Sequence, residues 1–509
     1  MAGARGIQTP SSMRAVGLLA GVIAFLAIIL SPLEASLGDQ GQAVAAIAVL
    51  MAIWWMTEAL PIPVTSLLPL LLYPLFGVMP VHQAASPYAH HLVFLFLGGF
   101  VLALAVERSG LHRRIALRII FIVGEGSGML VLGFMLATAL LSMWISNTAT
   151  VMLMLPIALA VIEQRRSTTE DAGHGRFAIA LLLGLAYSAS IGGVATLIGT
   201  PPNIVLAGVL TQMYPDAPPI GFVQWMSFGV PLAALFLPLS WLLLVRVFPA
   251  TRIHHLPTSG KGRAQIRQNL LALGKLTRTE KQVLAVFLLT AAGWIFRAPI
   301  ELGAIRIPGL TDLIPMLSDT GIAIAAAVML FLLPGKERGM LLSWPEIQRG
   351  IPWGILLLFG GGFALAAGMQ QSGVTLRIGE LLTQLQGMPL ILMILLTCLL
   401  LTFLTELTSN TATASILIPV MAAAAITLGQ NPLLLMLPAA LNASFAFMLP
   451  VATPPNAIVF SSAWLDIRTM AKTGFTLNLL GVVLVTALMY LLGMGIFAIA
   501  VDAVPPWAL

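Results

Sequence analysis

Charged side chains are scarce in this chain: they make up 9% of its 509 residues, against about 25% in a soluble globular protein. That shortage excludes an ordinary water-soluble fold. Cysteine is nearly missing too. The single Cys398 rules out an intramolecular disulfide, and its apolar neighbours make it a packing residue. No His-Glu-x-x-His occurs, so a membrane zinc protease has no support. One shortage is local. No Lys or Arg lies between Arg118 and Arg165, between Arg176 and Arg246, or between Arg377 and Arg468. The net charge of +6 comes from residues in loops and is no nucleic-acid signature.

What the chain has is apolar length. It is 59% hydrophobic, and apolar segments recur from Val16–Leu33 to Leu477–Val501, many near the roughly 18 residues that a spanning helix requires. Breaks at its 46 Gly and 33 Pro are frequent, as in discontinuous membrane helices. Lys and Arg in short loops mark the cytoplasmic side. Arg5 and Arg14 precede the first segment, which predicts a cytoplasmic N-terminus. That segment has no small-residue cleavage site, so it reads as a retained span. The long polar stretch Thr251–Lys281 reads as a cytoplasmic linker. The expectation is an all-α polytopic membrane protein of a bacterial inner (plasma) membrane.

Against this background one pentapeptide stands out. Ser-Asn-Thr-Ala-Thr occurs at Ser146–Thr150 and again at Ser409–Thr413, and Thr-Pro-Pro-Asn follows at Thr200–Asn203 and at Thr453–Asn456. The repeat is longer than these motifs. Phe96-Leu-Gly-Gly-Phe100 aligns with Phe359-Gly-Gly-Gly-Phe363, and Ser109-Gly110 with Ser372-Gly373, all 263 residues apart, as are Ser146 and Ser409. The Thr-Pro-Pro-Asn copies are 253 apart, so about ten residues are missing between the motifs of the second half. Each Ser-Asn-Thr separates two apolar arms, which predicts a helical hairpin with a polar tip. Each Thr-Pro-Pro-Asn predicts a break in the helix that follows. Irregular backbone at membrane depth is tolerated where it lines a cavity or is buried in protein. Two related halves around one central site point to a transporter.

The motif residues fit two kinds of ligand. Hydroxyls, amide oxygens and freed carbonyls suit hard cations. Hydroxyls, Asn NH₂ groups and backbone N–H groups at helix N-termini suit carboxylate or phosphate. All four motifs fall in the windows that lack Lys and Arg. A dianion held there without countercharge would be costly, so bound cations and helix dipoles are expected to supply it. Glu406, beside the second copy, is an intramembrane carboxylate with either a functional or a structural role. Glu58 reads as a structural or interfacial anchor, and His90-His91 as interfacial rather than metal-binding.

At these residues the chain resembles the divalent anion:sodium symporter family, which includes sodium-coupled dicarboxylate and citrate carriers. The stretch Ser444-Phe-Ala-Phe-Met-Leu-Pro-Val-Ala-Thr-Pro-Pro-Asn-Ala-Ile-Val459 is similar to the family signature. Phe403–Thr413, Ile351–Gly362 and Glu58–Thr65 are also family-like, and the resemblance spans roughly residues 40 to 500. It implies about eleven transmembrane helices plus two re-entrant hairpins, in inverted repeats. It implies a homodimer in membrane lipid, with static scaffold domains and moving, elevator-like transport domains. The corresponding division is N-terminal scaffold 1–90, first repeat core 91–250, linker 251–281, scaffold 282–350 and second repeat core 351–509. One Na⁺ site would use Ser142, Ser146, Asn147 and the backbone at Gly199. A second would use Thr405, Thr408, Asn410 and the backbone at Ala452. Substrate carboxylates would meet Asn147, Thr148, Asn410 and Thr411, with Thr200, Pro201, Thr453 and Pro454 lining the site. Both pentapeptides continue Ala-Thr with no basic residue, which favours the Na⁺-coupled branch. The expectation is Na⁺-coupled symport of C4-dicarboxylates (succinate, malate or fumarate) by a secondary carrier that is not an enzyme. A Na⁺-independent exchanger, or a sulfate or tricarboxylate carrier, fits the same motifs.

Overall fold

A chain this apolar has to satisfy its backbone within each segment, and helices do so residue by residue. The computed structural model describes residues 11–32, 34–123, 126–166, 171–248, 261–302, 305–335, 339–381, 387–501 and 503–508. Helices dominate them. Among the described residues, a two-stranded antiparallel ribbon, Ile300–Leu302 with Ile305–Ile307, is the one sheet. Eight helices there have the length and composition to cross a membrane, from Leu37–Thr57 to Ile467–Ile496. Six shorter apolar helices join them, among them Ser127–Ser142, Leu390–Thr405 and Leu433–Asn442.

The repeat holds element by element. The helix His91–Ser109 matches Trp353–Gln371, and Leu111–Val123 matches Val374–Leu381. Left-handed glycines make both joints, Gly110 at φ 81° and Gly373 at φ 75°, a conformation that other residues adopt only at a cost. Next come the two hairpins. In the first, the arms Ser127–Ser142 and Asn147–Arg166 flank the tip; in the second, Leu390–Thr405 and Asn410–Thr427 do. A broken helix follows each hairpin: Asp171–Gly193 then Pro201–Met213, and Leu433–Asn442 then Pro454–Phe460. The prolines open the second pieces, where a missing N–H costs nothing. The ten missing residues are explained here. The second broken helix starts with 10 residues where the first starts with 23, and a longer break, 443–453 against 194–200, recovers part of the difference.

Of the polar stretch expected as a linker, residues 251–260 lie outside the described residues, as does Arg5. The rest forms the helix Lys261–Ala272 and the start of Arg278–Ile295. Arg114 anchors it. Its guanidinium donates to both Glu280 oxygens at 2.8 and 3.1 Å and to the carbonyls of Gly274, Leu273 and Lys275 at 2.8, 3.0 and 3.3 Å. Glu280 in turn completes a capping box with Thr277.

Candidate functional site

In the first half the tip and the break meet. Ser142 ends one arm and Asn147 opens the next, which sets the Ser142 hydroxyl 2.6 Å from Asn147 Oδ1. Ser146 Oγ accepts from Ala149 N at 3.2 Å and caps the second arm. Gly193 leaves room for the Asn147 amide, since a Cβ there would lie 2.7 Å from Asn147 Oδ1 and push that side chain aside. Gly199 folds back on Gly193, where a Cβ would lie 2.3 Å from the Gly193 carbonyl oxygen. Asn203 closes the break from below. Its amide donates to the carbonyls of Thr196 at 2.7 Å and Gly193 at 3.3 Å. The Thr196 hydroxyl donates to the carbonyl of Met143 and ties break to tip.

The second half repeats this chemistry. The Thr405 hydroxyl sits 2.7 Å from Asn410 Oδ1 and 2.8 Å from the Ala443 carbonyl oxygen. Asn456 donates to the carbonyls of Ala446 and Leu449, both at 3.0 Å, just as Asn203 does in the first break. Ala452 N donates to Leu449 O at 3.2 Å, which puts Ala452 in the same turn. Thr408 is bonded within its own hairpin, its hydroxyl with Leu404 O at 3.0 Å and with Thr413 Oγ1. Thr453 caps the short helix it precedes by accepting from Asn456 N at 3.3 Å.

The halves then cross. The arm Asn147–Arg166 packs on Pro454–Phe460, and Asn410–Thr427 packs on Pro201–Met213. Thr200 Oγ1 lies 3.5 Å from Ser444 Oγ, which joins one break to the other. Each tip sets a helix N-terminus, at Asn147 and at Asn410, beside a helix C-terminus, at Ser142 and at Thr405, that carries the paired oxygens. N-terminal amides favour an anion, and C-terminal carbonyls favour a cation. Asn147, Thr148, Asn410 and Pro201 are half-buried, Thr200, Thr411 and Thr453 are buried, and Pro454 is exposed. The oxygen-only donor set of each centre fits a hard monovalent or divalent cation.

Among the described residues Arg114 is the one buried Lys or Arg, and its guanidinium is engaged by Glu280 and by the carbonyls of Leu273, Gly274 and Lys275. Arg297 is paired with Asp319 at 2.6 Å. Sequence reasoning missed several participants: the clasps made by the amides of Asn203 and Asn456, the Thr196 and Ser444 hydroxyls, and Asn478. The signal for Asn478 was an amide inside an apolar run. His90 is no bare interfacial residue. It caps Leu92 N at 3.4 Å and reaches Thr211 Oγ1 at 3.1 Å. Glu58 is exposed and left-handed, at φ 47°, after the helix Glu34–Thr57.

The model of the sodium:sulfate symporter transmembrane region matches residues 12–499. The chain belongs to the sodium:sulfate symporter family. It is thus a multi-pass membrane transporter and not an enzyme, in line with the resemblance carried by the motifs. A relative from Staphylococcus saprophyticus, the sodium-dependent dicarboxylate transporter SdcS, is 42% identical over 485 residues, which cover 94% of this chain and 91% of the relative. Its Staphylococcus aureus counterpart, under the same name, is 40% identical over 487 residues, with coverage of 94% and 91%. The fold is similar to that of the Alcanivorax borkumensis YdaH transporter, at a TM-score of 0.57 and 19% identity, covering 94% of this chain and 98% of that one. It is also similar to Neisseria gonorrhoeae MtrF, at a TM-score of 0.52 and 12% identity, with coverage of 81% and 83%.

Proposed function

We propose that this chain imports C4-dicarboxylates such as succinate, malate or fumarate together with Na⁺, two or more ions per cycle. One observation carries the reading. The same hydroxyl–amide oxygen pair, Ser142 with Asn147 and Thr405 with Asn410, is built twice beside helix N-termini, and the buried arginine is neutralised by Glu280. The relatives named as sodium-dependent dicarboxylate transporters support it. Na⁺ would be held by Ser142, Ser146, Asn147 and the Gly199 backbone, and by Thr405, Asn410 and the Ala452 backbone with Thr408 in support. The dianion would meet Asn147, Thr148, Asn410 and Thr411, lined by Thr200, Pro201, Thr453 and Pro454.

The mechanism follows from that layout. Na⁺ draws the paired oxygens of each tip toward one point and orders the amides beside them. The ordered amides then bind the substrate carboxylates, with the cations as countercharge. A ligand shifts an equilibrium only by its differential affinity, so Na⁺ must favour the substrate-competent tips. By reciprocity, succinate tightens Na⁺ binding by the same factor. The loaded hairpins and broken helices move as an elevator against the scaffold helices 1–90 and 282–350. The halves are inverted repeats, the carrier is a homodimer in the inner membrane, and its N-terminus is cytoplasmic.

The test is uptake of radiolabelled succinate into proteoliposomes with empty lumen, under an inward Na⁺ gradient and under a K⁺ control. Uptake with Na⁺ alone supports symport. Uptake that ignores Na⁺ and needs dicarboxylate in the lumen makes the protein an exchanger. Competition by sulfate or citrate rather than by malate makes it a carrier of those anions.

A further inference from the structure

Glu406 belongs to neither the cation ligands nor the substrate contacts. It lies on the second tip between Thr405 and Thr408 and is 3% exposed. Its Oε1 accepts from Phe447 N at 2.7 Å, Met448 N at 2.9 Å and Asn478 Nδ2 at 2.7 Å, and its Oε2 accepts from Leu449 N at 3.0 Å. All four partners are donors, the complement that a carboxylate's oxygens take. Three are consecutive amides of the second break. The fourth belongs to the long helix Ile467–Leu488. One side chain therefore joins tip, break and helix.

The oxygens of the second centre come from two segments far apart in sequence. Thr405, Thr408 and Asn410 are on the tip; Ala452 is on the break, which Thr405 also reaches through the Ala443 carbonyl. A cation bound between such segments needs them held at a fixed separation, and the groups that orient ligands matter nearly as much as the ligands. Glu406 crosslinks these two segments. Its repeat mate is Met143, which has no carboxylate to offer, and there the link is the single bond from the Thr196 hydroxyl to the Met143 carbonyl.

We propose that Glu406 is a positioning residue of the second cation centre. It clamps the tip to the 447–449 amides, so that the Thr405–Asn410 pair and the backbone from Ala443 to Ala452 are preset before a cation arrives. The proposal rests on the sodium-coupled reading above and adds to it a residue that touches neither ion nor substrate.

The test compares the parent protein with Glu406→Ala, Glu406→Gln and Asn478→Ala in proteoliposomes. Half-saturating Na⁺, succinate KM at saturating Na⁺ and maximal rate are measured. The Na⁺-induced rise in melting temperature is measured in detergent without succinate. Glu406→Ala is expected to raise half-saturating Na⁺ about tenfold, the scale seen when an orienting partner is removed. Maximal rate should stay within about threefold of the parent, and the Na⁺ dependence of melting should move by the same tenfold factor. Glu406→Gln keeps one acceptor oxygen and should fall between. Lower melting temperature and lower maximal rate with unchanged half-saturating Na⁺ would overturn the proposal. Should Glu406→Ala fail to fold, Glu406→Gln and Asn478→Ala decide the matter, and parent-like half-saturation in both overturns it. If the parent shows neither Na⁺-driven uptake nor a Na⁺ melting response, the sodium-coupled reading fails, and this proposal fails with it.

Discussion

At the first tip the turn is Met143-Trp144-Ile145; at the second it is Glu406-Leu407-Thr408. Trp144 packs against Phe287 at 5.0 Å, Phe222 at 6.0 Å and Trp294 at 6.3 Å between ring centroids. Leu407, its mate, is 70% exposed. Glu406 braces the second tip instead, from inside. Around these unlike turns the oxygen pairs are alike: Ser142 with Asn147, Thr405 with Asn410, and the Asn203 and Asn456 clasps on equivalent carbonyls. Between the two halves, the groups proposed to touch ligands share their chemistry and the groups that hold them differ. Braces are free to differ because apolar packing and a satisfied carboxylate can each fix a backbone.

The sharpest way to break the comparison is to remove its shared part. Asn147→Ala and Asn410→Ala should each lower Na⁺-driven succinate uptake at least about a hundredfold, because groups that act as a unit fail together. Both should also raise the Na⁺ requirement. Uptake kinetics at several Na⁺ concentrations check this, and a silent substitution at one site would mean that only one half binds.

Stability separates the braces. Glu406→Ala leaves four donors without their acceptor, two of them buried at about 1–3 kcal/mol each, so a total loss of about 3 kcal/mol or more is expected. Met143→Ala leaves the Thr196 bond to the Met143 carbonyl in place, and the half-buried side chain should cost about 1–2 kcal/mol. Unfolding by titrated SDS in detergent micelles measures both. Equal losses would show that the carboxylate is no special brace. The clasps should give matched values: Asn203→Ala and Asn456→Ala each remove two bonds to break carbonyls, at about 2 kcal/mol for each substitution.

Much of the site is legible in the amino-acid sequence itself. The 263-residue offset places both hairpins and the 253-residue offset both helix breaks, because the Ser-Asn-Thr and Pro-Pro signals act locally through capping and helix breaking. The pairing of Ser142 with Asn147 and Thr405 with Asn410 follows from the short turns between them. What stays hidden depends on contacts between segments far apart in the chain. Glu406 is visible as an intramembrane carboxylate, but its partners lie 41 to 72 residues away. Nothing local marks Thr196 as the tie to Met143. The bond between the Thr408 and Thr413 hydroxyls is another contact that sequence spacing does not reveal.

Thr408 yields the finest contrast. Its mate is Ile145, and its partner Thr413 has Thr150 as mate. In the second hairpin the Thr408 and Thr413 hydroxyls bond each other. In the first, Ile145 offers no hydroxyl, and the buried Thr150 Oγ1 has no hydrogen-bond partner within the structure. Exchanging the two residues should therefore be asymmetric. Thr408→Ile should strand Thr413 and cost about 1–2 kcal/mol, while Ile145→Thr trades apolar burial for a partner to Thr150 and should stay within about 1 kcal/mol of the parent. The same SDS titration reads both. Na⁺ dependence adds a second axis: Thr408→Ile should raise half-saturating Na⁺ a few-fold, about 1 kcal/mol in binding terms, and Ile145→Thr should leave it alone. A shift from Ile145→Thr would move the first cation toward the turn, onto an oxygen that the native chain does not carry there.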